Sequence, residues 1–199
     1  SIYFDPATED LETIQHHTVD FLGINQYYPK RVRAPRYQWN EETPFHPERY
    51  YEVFDLPGKK MNNSRGWEIY PKIMYDIAMY LKENYRNIPW LITENGMGRE
   101  HEEQYMDEKG IVQDDYRIEF IGQHLRYLIK AAEEGANCEG YMLWAFTDCV
   151  SPMNAFKNRY GLVRIELNDE RSRTLKKSAS WYQSLIDKRE LSLPDEAYK

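Results

Sequence analysis

The sequence predicts an α/β fold in which a parallel sheet is covered by helices, and three observations carry that expectation. Three short apolar runs, Val19 to Ile24, Trp90 to Thr93 and Gly140 to Phe146, read as buried strands. Between them lie apolar stripes at three- and four-residue spacing, the mark of crossover helices. Each run ends in polar or aromatic residues: Asn25-Gln26-Tyr27-Tyr28, Glu94-Asn95-Gly96 and Thr147-Asp148. The carboxyl ends of strands are where parallel sheets place their ligands.

Taken in order, Asp10 to His17 reads as a short helix ahead of the first strand. The stretch from Pro29 to Gly66 has no strong periodicity, and a connection that long is expected to be a lid or a binding wall. Tyr70, Ile73, Met74, Ile77 and Leu81 form one helical stripe, with Pro71 suited to a first turn. Ile118, Ile121, Leu125, Leu128 and Ala132 form a second, begun by Asp114-Asp115 and capped at Gly135. Gly161 to Leu167 and Arg173 to Leu175 flank the turn Asn168-Asp169-Glu170 as a hairpin, and Ala179, Tyr182 and Ile186 mark a last helix.

The 199 residues hold 26 Lys and Arg against 33 Asp and Glu, a formal charge of −7, which argues against phosphate-backbone binding and so against a nucleic-acid partner. No apolar run approaches the roughly 18 residues of a membrane span. The first residues, Ser1-Ile2-Tyr3-Phe4-Asp5, lack the basic start and apolar stretch of a signal peptide, and without an initiator Met the natural start is expected upstream. Cys138 and Cys149 are too few for a disulfide scaffold and fit a reducing compartment. Aromatics make up 15%, with 17 Tyr; such rings suit stacking on hydroxyl-rich ligands or packing under long loops, and composition leaves both open.

The chemistry starts at Trp90-Leu91-Ile92-Thr93-Glu94-Asn95-Gly96. A carboxylate leaving a buried strand, with Asn-Gly turning the chain at once, is presented to a cleft from a rigid element, as a carboxylate nucleophile requires. A surface Glu at a strand end is the plain alternative. Ile92-Thr93-Glu94-Asn95-Gly96 resembles the nucleophile motif of the family-1 glycoside hydrolases, retaining β-glucosidases whose fold is a (β/α)₈ TIM barrel. Asp20-Phe21-Leu22-Gly23-Ile24-Asn25-Gln26-Tyr27-Tyr28 is similar to that family's sixth strand, which assigns Asn25 to the sugar and Tyr27 to orienting Glu94. Gly66-Trp67-Glu68-Ile69-Tyr70-Pro71 resembles the segment before strand seven, where Trp67 would flank the aglycone. Gly140 to Asp148 resembles strand eight, with Trp144 as the floor under the sugar. Core packing is the alternative for each aromatic.

Seven residues beyond the strand-eight Trp, ordinary β-glucosidases of the family carry a Glu; here Ser151 stands there, followed by Pro152. A carboxylate would repel a sugar 6-phosphate, whereas a hydroxyl can donate to it. The run Ser151 to Gly161 resembles the phospho-specific branch, which implies Ser151, Lys157 and Tyr160 as phosphate ligands and a phosphorylated β-glucoside as substrate. That branch often has Lys directly before Arg-Tyr-Gly; here Asn158 occupies the place and Lys157 lies one earlier, with Arg159 open to a structural ion pair. Pro152, in place of a Trp, favours glucosides over galactosides.

Retaining hydrolysis needs a second carboxyl group about 5–5.5 Å from the first. The family takes it from an Asn-Glu-Pro motif on strand four, which is absent here; Asn40-Glu41-Glu42-Thr43-Pro44 does not match. A complete barrel also takes about 250 residues or more. The expectation is therefore a single partial barrel domain over 1–199, its strands six to eight, with the amino-terminal half absent and the chain alone inactive. The same open edges suggest self-association or pairing with that half, and the substrates of this branch imply a cytoplasmic location. Glu12 with His16 and His17, and His101-Glu102-Glu103, read as solvated side chains; no metal or organic cofactor is implied.

Overall fold

The computed structural model describes residues 5–36, 46 and 49–193. In chain order the elements are α1 (Thr8–His16), β1 (Leu22–Asn25), β2 (Val32–Arg33), β3 (Glu52–Val53), β4 (Met61–Asn62), β5 (Trp67–Glu68), α2 (Ile73–Asn84), β6 (Trp90–Asn95), α3 (Asp115–Glu133), β7 (Cys138–Leu143), β8 (Val163–Ile165), β9 (Arg173–Leu175) and α4 (Lys177–Lys188), with a 3₁₀ turn at Glu102–Tyr105. β1, β6 and β7 form one parallel sheet with β6 in the centre, as the apolar runs predict. The long connection is partly structured: β2 pairs antiparallel with β3, and β4 with β5. Its Asn40 to Pro44 stretch lies outside the described residues.

The core sits on one face only. Met74, Ala78 and Leu81 of α2, and Leu128 and Ala131 of α3, close over Trp90 and Ile92 of β6, with Leu22, Ile24, Cys138 and Tyr141 packed against them. These sheet residues largely alternate along their strands, as the two-residue period of a strand requires. The intervening residues, Asn25, Thr93 and Met142 among them, face a side that no helix among the described residues covers. Among the described residues these three parallel strands do not close into a barrel. An apolar groove of about 410 Å³, lined by Leu143, Phe146, Leu162, Leu175, Tyr182 and Ile186, runs beside edge strand β7.

Several boundaries differ from the periodicity. The first strand starts at Leu22 because Val19 and Phe21 are exposed ahead of it. The third covers Cys138–Leu143 rather than reaching Phe146: Trp144 is joined to Ala145 by a cis peptide, and Phe146 is exposed. The hairpin and last helix form as expected, with ladder pairing confined to Val163–Ile165 and Arg173–Leu175.

The largest departure is at His101-Glu102-Glu103, where a solvated loop was expected. Glu102 is buried, and its carboxylate accepts from Arg117 Nη2 (2.6 Å), Lys176 Nζ (2.5 Å) and the Tyr116 hydroxyl (2.6 Å). Lys176 also reaches Asp148 at 2.9 Å, Arg117 reaches Asp114 at 2.9 Å, and Asp114 accepts from Ser178 Oγ at 2.6 Å. Arg159 completes the cluster at 3.4 Å from Asp148, in a structural ion pair. Three cations thus answer three carboxylates, which is how a charge tolerates burial. Burial, with Arg117 alongside, pulls the Lys176 ammonium below its ordinary value, while Glu102 and Asp148 oppose that. Asp114 begins α3 as expected, but its side chain serves this cluster and does not cap the helix.

His124 of α3 is buried, with Nδ1 donating to the Phe120 carbonyl at 2.7 Å and Nε2 meeting no partner among the described residues. Burial pulls its imidazole down to about 4. An unfolded chain takes up a proton near pH 6.5, whereas the folded chain does so only near 4, so folding stability falls as pH drops across that window. The full cost is about 3 kcal/mol. His124→Gln should therefore gain on the parent between pH 7 and pH 4 in urea unfolding; a pH-independent difference would exclude the effect.

Candidate active site

The three parallel strands bring their carboxyl ends to one edge, and the residues singled out by sequence gather there. β6 carries one residue more than each neighbour at this edge: Ile24 pairs with Ile92 but Asn25 with Glu94, and Tyr141 and Leu143 pair with Ile92 and Asn95. A bulge of this kind re-aims side chains. Here it brings Glu94 level with Asn25 while Thr93 Oγ1 donates to Asn25 Oδ1 at 2.6 Å.

Glu94 is half-buried, and the Tyr27 hydroxyl donates to its Oε2 at 2.7 Å. Burial, then the Glu94 carboxylate that it meets, push the Tyr27 phenol well above its ordinary value, so it stays protonated as a donor. That hydrogen bond holds the Glu94 carboxylate in one orientation. Behind it the backbone is pinned: Gln26 N donates to Glu94 O (2.9 Å), Asn95 Nδ2 to Gln26 O (2.7 Å), and Tyr141 to Asn95 Oδ1 (2.6 Å). Trp144 N donates to Asn95 O at 2.8 Å, and a Cβ on Gly96 would lie 1.8 Å from the Trp144 carbonyl oxygen, so the Glu-Asn-Gly order is also a packing requirement.

Trp144 is partly exposed at this edge. Trp67, on β5, stands beside the same group: its ring is 5.4 Å from that of Tyr27, and Tyr28 stacks on it at 4.9 Å. The loop after β7 is placed differently for its three predicted phosphate ligands. Tyr160 is buried, its ring so close to Gly98 that a Cβ there would come within 2.4 Å of it. Ser151 sits in a tight turn where its Oγ accepts from Met153 N. The Lys157 side chain is 62% exposed and its ammonium lies 3.4 Å from Glu100.

Sequence reasoning missed Thr93, Asn95 and Tyr141 as supports of Glu94, and it gave no role to Arg65, whose guanidinium lies 4.4 Å over the Trp67 ring. The Thr-Glu-Asn-Gly order was the available signal for the first two. Nothing in the local pattern marks Arg65. Among the described residues no three His, Cys, Asp or Glu gather as a metal site, and no helix is long and apolar enough to cross a membrane.

The model of glycosyl hydrolase family 1 matches residues 4–191. The chain belongs to that family. It is 51% identical over 183 residues to the 6-phospho-beta-glucosidase GmuD of Bacillus subtilis (strain 168), covering 92% of this chain and 39% of that protein. It is 33% identical over 188 residues to a 6-phospho-beta-galactosidase of Staphylococcus haemolyticus (strain JCSC1435), covering 86% and 38%. Among solved structures, the family 1 b-glucosidase of Thermotoga maritima superposes with a TM-score of 0.74 at 27% identity, over 92% of this chain and 38% of that one. This family-1 chain therefore spans about two fifths of the length of its relatives.

Proposed function

We propose that the chain is the carboxyl-terminal, nucleophile-bearing part of a retaining 6-phospho-β-glucosidase. The observation that carries this reading is the 2.7 Å hydrogen bond from Tyr27 to Glu94, at the edge where a parallel sheet receives its ligand. In a complete barrel Glu94 attacks the anomeric carbon, and the bond to the leaving oxygen breaks as a second carboxylic acid protonates that oxygen. Water then hydrolyses the glycosyl-enzyme, with the same second group as base. That group lies outside these 199 residues, so the chain alone is inactive. Asn25 and Trp144 hold the sugar, and Trp67 flanks the leaving group. Ser151 and Tyr160 face the phosphate. The enzyme works on imported, phosphorylated disaccharides in the cytoplasm.

The 51% likeness to a protein named as a 6-phospho-beta-glucosidase, against 33% to one named as a 6-phospho-beta-galactosidase, supports the glucoside. The test is a chromogenic 6-phospho-β-glucoside, given to the 199-residue chain and to a complete barrel containing it. Turnover by the barrel alone, with a preference for the phosphorylated substrate, is the expected result; a barrel that prefers the plain β-glucoside or the 6-phospho-β-galactoside overturns the assignment. Ser151→Glu in the complete barrel should shift preference toward the plain glucoside by about tenfold or more, since it replaces a donor with a like charge.

A second reading has its own support. Among the described residues β1 and β7 are open strand edges and nothing covers the apolar groove beside β7, which favours a non-catalytic piece that self-associates or pairs with an amino-terminal half. Turnover by the chain alone, abolished by Glu94→Gln, refutes that reading.

A further inference from the structure

The reading above needs a cation to meet the sugar phosphate, and the structure gives Lys157 a different partner. Its ammonium faces Glu100 and lies mostly in solvent. Arg159 is tied to Asp148. At the place directly before Arg159 stands Asn158, fully buried and uncharged.

The turn between β4 and β5 packs against this spot. Asn62 Nδ2 donates to Gly98 O at 3.0 Å, Glu100 N donates to Ser64 Oγ at 3.1 Å, and Asn158 Nδ2 donates to Ser64 O at 3.5 Å. Gly98 is the residue against which the Tyr160 ring lies. The next residue in the turn is Arg65. Its Nε is buried without an acceptor, and among the described residues no carboxylate meets its guanidinium. Burial pushes the Tyr160 phenol above its ordinary value, and the positive charge of Arg65 opposes that. An arginine has five donors and cannot shed its proton, so one held beside an aromatic wall with no anion is set to receive one.

We propose that Arg65, supplied by the β4–β5 turn, is the specificity-determining cation that binds the substrate phosphate together with Tyr160, in the role sequence reasoning gave to Lys157. The geometry that carries this is the clamping of the turn onto Gly98, Glu100 and Asn158, which holds a guanidinium without a carboxylate partner among the described residues over the Trp67 ring, on the side of Gly98 where the Tyr160 ring packs. The inference rests on the phosphosugar reading. It adds a residue far away in sequence from the loop after β7, and it explains why an uncharged Asn158 can be accommodated beside that site.

The experiment compares kcat/KM for 4-nitrophenyl 6-phospho-β-glucoside and 4-nitrophenyl β-glucoside in the complete barrel and its Arg65→Gln, Arg65→Lys and Lys157→Gln variants. Losing a charge-assisted pair should lower the phosphorylated-to-plain ratio by about 10- to 100-fold in Arg65→Gln, mainly through KM. Arg65→Lys should fall between that variant and the parent, and Lys157→Gln should change the ratio less than Arg65→Gln. Equal losses on both substrates would mean that Arg65 only props Trp67, and would overturn the proposal. A larger effect from Lys157→Gln would do the same. A parent enzyme with no preference for the phosphorylated substrate would instead sink the phosphosugar reading itself, and this inference with it.

Discussion

Replacing Glu94 with Gln in a complete barrel is expected to lower kcat by roughly 10⁴- to 10⁶-fold, the scale on which removal of one member of a covalent catalytic unit acts. The amide keeps the shape and can still meet the Tyr27 hydroxyl, but it has no charge with which to attack the anomeric carbon. Binding should survive, so KM for the phosphorylated substrate should move far less than kcat. Tyr27→Phe separates orientation from chemistry: it leaves the nucleophile present but removes the 2.7 Å donor, and a loss of about 10- to 100-fold follows from a hydrogen bond to a charged group. Stopped assays of the two variants side by side check this. Residual turnover in Glu94→Gln within tenfold of the parent would remove Glu94 from the nucleophile's role.

The second large effect concerns stability. Lys176→Met should destabilise the fold by about 3–5 kcal/mol, because removing one partner from a buried ionic cluster leaves the others uncompensated. Glu102 and Asp148 would then face each other in a site closed to water, with only Arg117 and Arg159 to answer them and Asp114. Urea unfolding of the full-length protein measures the loss. Replacing Lys176 and Glu102 together by apolar residues should cost less than Lys176→Met alone, since it leaves Arg117 with Asp114 and Arg159 with Asp148 and the penalty lies in the stranded charges. A double variant less stable than the single one would show that the cluster contributes net stability of its own.

Much of the architecture is legible in the sequence because burial is periodic. The stripes over α2 and α3 and the apolar run of β6 name the residues that meet in the core, and Gly135 ends α3 with positive φ as a helix terminus favours. Glu94, Tyr27 and Asn25 were legible through short ordered motifs at strand ends, and the structure does bring them together. The bulge in β6 was not legible, because pairing register depends on neighbouring strands and leaves no mark in the residues of one six-residue strand. Glu102 was misread for a related reason. A carboxylate beside His101 and Glu103 looks solvated, and its cationic partners Arg117 and Lys176 lie 15 and 74 residues further on. Local pattern reports helices and strands; it does not report which distant charges meet.

The central strand β6 has a core on one side and a bare surface on the other, and this divides the constraints on its residues. Trp90 and Ile92 answer to helices that the chain itself provides, so change at these positions is judged by whether this piece holds together. Thr93 and Glu94 meet Asn25 and Tyr27 at the edge beyond that core, and under the proposed function change there is judged only by the assembled enzyme. Positions one residue apart are therefore under separate selection, and a version of this strand could drift to a new substrate without disturbing the packing that supports it.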